Sequence, residues 1–137
     1  MPLNRNAQAW VRALRSGEYK QGIGVLRRND TYCCLGVACD LYMKAENKGA
    51  WIQPSNERAN SYFVVGDDAK DGTLPKAVVE WLGLEKGNNR VEYRDIYAPK
   101  LFFGKYQSLL GANDGGMSFN AIANAIETHA KGLFKNE

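Results

Sequence analysis

The chain has 137 residues, of which 45% are hydrophobic and 24% are charged. This length and apolar content predict a single globular domain, residues 1–137, with a hydrophobic core of its own. The 18 basic and 15 acidic residues leave a formal charge of only +3 and are dispersed along the chain, so the charge pattern gives no argument for nucleic-acid binding.

The sequence predicts a cytoplasmic protein with no membrane partner. No apolar run approaches the ~20 residues that a membrane-spanning helix needs, and the first residues, MPLNRNAQAW, lack the apolar core of a signal peptide. The three cysteines, with Cys33 and Cys34 adjacent, are an odd and badly spaced set for disulfides. Such a set is expected in a reducing compartment.

The first predicted element is an amphipathic helix near the N-terminus. Asn6 is its candidate N-cap, and Gly17 is its candidate stop signal. Apolar residues recur at helical spacing between them, at Ala7, Trp10, Val11 and Leu14.

A β-hairpin is predicted next. Residues 19–28 read as one strand that bulges, or lies close to another backbone, at Gly22 and Gly24. Residues 29–30 predict the turn, and residues 31–33 predict the returning strand.

A second helix is predicted directly after the hairpin, because apolar residues again recur at helical spacing. Gly36 lies within it and is unfavourable there by about 1 kcal/mol, which is easier to accept if another group must come close. Apolar islands at residues 50–52 and 62–65 predict two further strands. A third helix is bounded by Pro75 and Gly83.

The C-terminal part of the sequence is less uniform. Residues 101–110 are apolar and aromatic, and their pattern leaves strand and helix open. Residues 111–116 predict a loop, and Ser118 is a good N-cap for a last helix. Together the elements predict an α+β fold in which a small, mostly antiparallel sheet packs against three to four helices.

Several kinds of chemistry are disfavoured by residue spacing. The cysteines and the single histidine, His129, lack the paired spacing of a zinc site, so no metal and no cofactor are expected. Neither the dinucleotide nor the P-loop fingerprint occurs, and too few residues follow the last helix to present a DNA-reading helix. Cys34, near a helix start, leaves a thiol-dependent enzyme open as an alternative to buried cysteines that fill space.

The sharpest functional signal is a group of basic and aromatic residues at the glycine-bearing hairpin. Arginines bind phosphate oxygens, tyrosines stack on bases, and glycines let a ligand approach the backbone. We therefore expect a non-enzymatic protein that binds a small phosphate-bearing, nucleotide-like ligand. The candidate ligand-binding residues are Tyr19, Lys20, Gln21, Gly22, Gly24, Arg27, Arg28 and Tyr32.

In this hypothesis the three basic residues hold charge, Tyr19 or Tyr32 stacks, and the glycines allow close approach. A protein–protein inhibitor is the other alternative, and it predicts an exposed apolar patch at residues 101–103. The sequence leaves open whether the chain forms a homo-oligomer.

Three blocks of the sequence resemble a family of small uncharacterised proteins encoded by bacteriophages and their bacterial hosts. The blocks are LRSGEYKQGIGVLRRNDTYCCLGVACDLY, LPKAVVEWLGL and NDGGMSFNAIANAIE. The resemblance implies no activity and gives no residue a catalytic role. It implies a setting in the host cytoplasm, where short phage proteins frequently bind host components, including nucleotide signals made by antiviral defence systems.

Overall fold

The computed structural model describes residues 3–54, 60–85, 106 and 108–135. They form an α+β fold, which confirms the predicted class. The helices are α1 (Arg5–Arg15), α2 (Cys34–Glu46), α3 (Lys76–Leu82), α4 (Leu109–Asp114), α5 (Phe119–Thr128) and α6 (Ala130–Leu133). The strands are β1 (Lys20–Gln21), β2 (Arg27–Arg28), β3 (Thr31–Tyr32), β4 (Ala50–Ile52), β5 (Asn60–Val65) and β6 (Asp68–Lys70). No helix within these ranges is long and apolar enough to cross a bilayer.

The strands form one mixed sheet in the order β1-β3-β2-β5-β4, and β6 also pairs with β5. Each pair of neighbours is antiparallel except β1 and β3, which run parallel. The sheet is therefore mostly antiparallel, as predicted. Strand β6 was not predicted, because its three polar and small residues carry no apolar alternation.

The prediction of one continuous strand over residues 19–28 is wrong. Two short strands, β1 and β2, occupy its ends, and the chain leaves the sheet between them. Gly24 has a φ of 87°, a value that residues with a side chain rarely adopt and that breaks an extended strand. The backbone N–H of Leu26 then donates to the carbonyl oxygen of Asp71 at 2.7 Å, outside the hairpin.

The predicted turn between β2 and β3 is confirmed, with Asn29 in the left-handed region at a φ of 54°. Strand β3 is one residue shorter than expected. Cys33 is the N-cap residue of α2 instead of the last strand residue, although its side chain makes no capping hydrogen bond.

Helix α1 begins two residues earlier than predicted. The N-cap is Asn4, whose Oδ1 accepts a hydrogen bond from the backbone N–H of Ala7 at 2.8 Å. Asn6, the predicted cap, donates instead from Nδ2 to the carbonyl oxygen of Trp81 in α3. The predicted stop is confirmed, since Gly17 follows the last turn with a φ of 79°.

Helix α2 lies at the centre of the hydrophobic core. Its residues from Cys34 to Asp40 are all buried, and Trp10 of α1 donates from Nε1 to the carbonyl oxygen of Cys34 at 2.9 Å. A Cβ atom on Gly36 would lie only 1.9 Å from the carbonyl oxygen of Leu26. The expectation that another group comes close to Gly36 is therefore confirmed.

The helices of the C-terminal half agree with the prediction at two of their ends and differ from it at one loop. Most of the predicted loop at residues 111–116 is helical, because Ser108 caps α4 through a hydrogen bond from the backbone N–H of Gly111 and because Leu109 and Ala112 are buried. Ser118 caps α5 as predicted, and Gly83 ends α3 in the left-handed conformation. The apolar patch predicted at 101–103 lies outside the described residues.

Candidate ligand-binding site

The three predicted cations do not form one group, because neighbouring residues of a strand point to opposite faces of the sheet. Arg27 is paired with Tyr32, whereas Arg28 is paired with Thr31. Lys20 is also paired with Thr31, so it shares the face of Arg28. The expectation that all three hold charge together is therefore corrected.

The face that carries Arg28 and Lys20 is the outer, solvent-exposed face. The Nε atom of Arg28 donates to Oδ1 of Asn60 at 2.8 Å. Among the residues that the structure describes, neither Arg28 nor Lys20 lies over an aromatic ring. These two side chains thus have no stacking partner to orient them toward a ligand.

The opposite face carries what we call the aromatic–cation cluster. It consists of three half-buried rings, two cations and one buried carboxylate. The rings are Tyr19, Tyr32 and Trp51, the cations are Arg27 and Lys44, and the carboxylate is Asp40. The rings meet edge to face, a favoured geometry, with centroids 5.0 Å apart for Tyr19 and Tyr32 and 6.0 Å apart for Tyr32 and Trp51.

Arg27 lies over two of these rings. Its Cζ atom is 5.2 Å from the centroid of Tyr32 and 5.5 Å from that of Trp51, within the range of cation–π attraction. Its Nε atom donates to the carbonyl oxygen of Asn29 at 2.8 Å. The terminal nitrogens of Arg27 make no hydrogen bond or ion pair with any residue in the described ranges, so the guanidinium is held in place while no carboxylate of these ranges pairs with it.

Asp40 organises the other side of the cluster and is only 4% exposed. Its Oδ2 atom accepts from the Tyr19 hydroxyl at 2.6 Å and from Lys44 Nζ at 3.0 Å, and its Oδ1 atom accepts from Trp51 Nε1 at 3.0 Å. Burial by itself would raise the pKa of Asp40, but these hydrogen bonds outweigh burial and lower the pKa. The buried carboxylate is therefore charged at neutral pH, and both of its oxygens accept hydrogen bonds.

The two tyrosines stay neutral over the physiological range. Burial, followed by the hydrogen bond to Asp40, raises the pKa of Tyr19 to about 12. Burial also raises the pKa of Tyr32, and the negative charge of Asp40 adds to the effect. Lys44 Nζ is 5.5 Å from the Tyr19 ring, so a second cation borders the aromatic surface.

Gln21 is outside the cluster and holds the fold together. Its Nε2 atom donates to Asn113 Oδ1 at 2.9 Å and to the Met117 carbonyl oxygen at 2.8 Å, and its Oε1 atom accepts from the backbone N–H of Phe119 at 3.0 Å. All of its polar atoms are thus engaged with the C-terminal helices.

The two glycines predicted to admit a ligand contact other parts of the chain. A Cβ atom on Gly22 would lie 2.6 Å from Thr31 Oγ1, so this glycine serves strand packing. The backbone N–H of Gly24 donates to Asp114 Oδ1 at 3.0 Å. The Gly24 amide that was expected to approach a ligand is thus occupied by a carboxylate, whose charge would repel an anion.

Comparison with known proteins places the chain in a family. A family model described as a domain of unknown function, DUF8296, matches residues 4–130. The chain belongs to the DUF8296 family. No curated protein and no solved structure matches it. The expected membership of an uncharacterised family is confirmed, and the range matched to DUF8296 includes every member of the aromatic–cation cluster.

The cysteines of the DUF8296 domain are buried in the core. Burial raises the pKa of Cys33 to about 11 and that of Cys34 well above its ordinary value. The Cys34 thiol donates weakly to the carbonyl oxygen of Leu109 at 3.7 Å. A buried neutral thiol is a poor nucleophile, which argues against the thiol-dependent enzyme. Within the described parts of the chain, no three metal-ligating side chains converge.

Three members of the cluster were missed by sequence reasoning. Asp40 is a charged residue inside the otherwise apolar run CLGVACDLY, and that contrast is a signal for a buried, partnered carboxylate. Lys44 lies four residues later on the same helix face, the spacing of an ion pair. The residues around Trp51 predicted only a strand. Nothing in the local sequence indicates that β4 brings Trp51 beside Tyr32.

Proposed function

We propose that this protein is a non-enzymatic binder of a small phosphate-bearing, nucleotide-like ligand, which it holds at the aromatic–cation cluster. The observation that carries the proposal is the guanidinium of Arg27. It is fixed over Tyr32 and Trp51 and by the carbonyl oxygen of Asn29, while its terminal nitrogens have no partner among the described residues. A guanidinium held in this way is preorganised for phosphate, because little side-chain entropy remains to be lost.

The aromatic rings supply the second half of the recognition. Tyr19, Tyr32 and Trp51 are each half-buried, so part of each ring is open to solvent. Stacking of a base on such a ring contributes about 1–3 kcal/mol. Lys44 adds positive charge at the Tyr19 end, although Asp40 already neutralises part of it.

The proposed site differs from the one expected from the sequence. It keeps Tyr19, Arg27 and Tyr32 and adds Trp51 and Lys44. The remaining predicted residues lie on the outer face or in contacts within the fold. The resemblance to phage-encoded proteins supports sequestration of a host nucleotide signal as the biological role in the host cytoplasm.

The test compares two neighbouring arginines, Arg27 and Arg28, that lie on opposite faces of the sheet. Calorimetric titration with a panel of cyclic and linear nucleotides, at one fixed salt concentration, is carried out on the wild type, Arg27→Gln and Arg28→Gln. We expect one nucleotide class to bind and Arg27→Gln to weaken it by at least about tenfold, because charge-assisted hydrogen bonds are lost. Arg28→Gln removes the same charge from the outer face and is expected to bind like the wild type.

Two outcomes would contradict the proposal. Absence of binding by the wild type across the whole panel would remove its basis. Equal weakening by Arg27→Gln and Arg28→Gln would show that only overall charge matters and not the aromatic–cation cluster.

A further inference from the structure

A cavity of about 320 Å³ opens between helices α1 and α5, away from the aromatic–cation cluster. Its size falls at the lower end of the range for small-molecule sites. The described residues that line it are Leu3, Gln8, Val11, Arg12, Arg15 and Glu127. Four of them lie on α1 at spacings of three and four residues, so one face of that helix forms a continuous wall.

One arginine of the wall is fixed by the opposite helix. The Nη2 atom of Arg15 donates to Asn124 Oδ1 at 2.6 Å and to Glu127 Oε1 at 2.7 Å, which joins α1 to α5. Its Nε and Nη1 atoms make no hydrogen bond with any residue that the structure describes. The protein's own Glu127 thus shows that a carboxylate fits this guanidinium.

The other arginine, Arg12, has no partner among the residues that the structure describes. Arg12 lies one turn before Arg15 and is exposed, and it makes no hydrogen bond or ion pair within the described parts of the chain. Beside it the apolar surface of the cavity comes from Leu3, which is half-buried and packs against the core. A cation without a partner in these ranges, next to one half-buried apolar side chain, is suited to a small molecule with a charged end and an apolar end.

We propose that this cavity binds a small organic carboxylate, with the carboxylate on Arg12 and a compact apolar body against Leu3. The two arginines and Glu127 give the lining a net charge of +1, which one carboxylate neutralises. A phosphate dianion would bring a second negative charge beside Glu127 and would be disfavoured. The proposal does not depend on the nucleotide site, since the two sites share no residue.

The experiment uses phenylacetate as the probe. Amide chemical shifts of the isotope-labelled full chain are followed at constant ionic strength, with phenethyl alcohol as the neutral analogue and acetate as the analogue without an apolar body. We expect saturable shifts in α1 and α5 with phenylacetate, and binding weaker by about tenfold for either analogue. Arg12→Gln is expected to weaken the binding of phenylacetate by about tenfold. The substitution should leave the fold intact, because Arg12 is exposed and has no partner among the described residues.

Arg5→Gln is the matched control, because Arg5 is an exposed arginine of the same helix that does not line the cavity. It is expected to bind phenylacetate like the wild type. Absence of saturable shifts in the wild type would overturn the proposal. So would equal affinity for phenethyl alcohol, or the same affinity in Arg12→Gln and Arg5→Gln.

Discussion

Gly36 shows how a single residue determines the distance between a helix and a strand. Alanine is a better helix former than glycine by about 1 kcal/mol, so local propensity alone would favour alanine in α2. A Cβ atom added to Gly36 would lie 1.9 Å from the carbonyl oxygen of Leu26, so there is no room for an alanine side chain. Glycine is therefore required because the backbone at Leu26, next to β2, comes close to α2, and not because the helix itself favours glycine.

We expect Gly36→Ala to lower the free energy of unfolding by at least ~2 kcal/mol, because α2 must move away from Leu26. The matched control is Gly132→Ala in α6, where an added Cβ would meet no atom within 4 Å. That change is expected to be neutral or stabilising by up to ~1 kcal/mol. Urea unfolding measures the free energy of unfolding of both variants. A Gly36→Ala protein as stable as the wild type would contradict the close contact between α2 and Leu26.

Asn113 shows a limit of sequence reasoning at the same scale. Its residue type and its neighbours indicate a turn, yet its side chain is fully buried and links separate parts of the chain. Oδ1 accepts from Gln21 and from the backbone N–H of Cys34, and Nδ2 donates to the carbonyl oxygen of Gly22. These partners are about eighty to ninety residues away, so no local pattern reveals them.

Helix α5 illustrates which features of an element can be predicted. Ser118 Oγ accepts from the backbone N–H of Ala121 at 3.1 Å, a local capping contact that the sequence predicted. Gln21 Oε1 accepts from the backbone N–H of Phe119 at 3.0 Å, a contact from a distant strand that it did not predict. Both satisfy amides that have no partner inside the helix.

Ser118→Ala is expected to lower the free energy of unfolding by about 1 kcal/mol, because the Ala121 amide loses its acceptor. Ser118→Asp keeps an acceptor at the cap and should retain most of the stability. Thermal and urea unfolding of both variants measures the difference. Equal losses in the two variants would show that another property of the serine is responsible.

The elements predicted correctly share local signals. Helices α1, α3 and α5 have apolar periodicity and a capping residue or glycine stop within a few residues of their ends. Helix α4 has a capping serine, Ser108, but its six residues, LLGAND, are too few for a repeated apolar pattern. The parallel pairing of β1 with β3 arises because the chain leaves the sheet after β1, which the sequence did not predict. Strand alternation alone separates Arg27 from Arg28, so grouping them in the prediction was an error of reasoning. Register decides which of the two lies on the face of the aromatic rings, and local sequence does not reveal it.

At the scale of the whole molecule, the three cysteines report on global unfolding. All three are buried in the core, and burial raises the pKa of each thiol. A reagent can therefore reach them only when the core opens.

We expect iodoacetamide to leave all three thiols unmodified in the native protein over a period in which it alkylates all of them in denaturant. The number of labels is counted by mass spectrometry, and the labelling should rise with the unfolded fraction across a urea series. Fast labelling of Cys34 in the native protein would contradict the burial described here and would revive the thiol-dependent enzyme.

The edge-to-face rings around Trp51 give the protein an optical reporter of its own. Of the three tryptophans, Trp51 alone lies under Arg27, whereas Trp10 is sealed in the core and Trp81 donates to Glu46. Tyrosine emission is quenched by transfer to an indole only a few ångströms away. We expect a molecule that displaces or engages the Arg27 guanidinium to change the fluorescence of Trp51, so that occupancy could be followed without a dye.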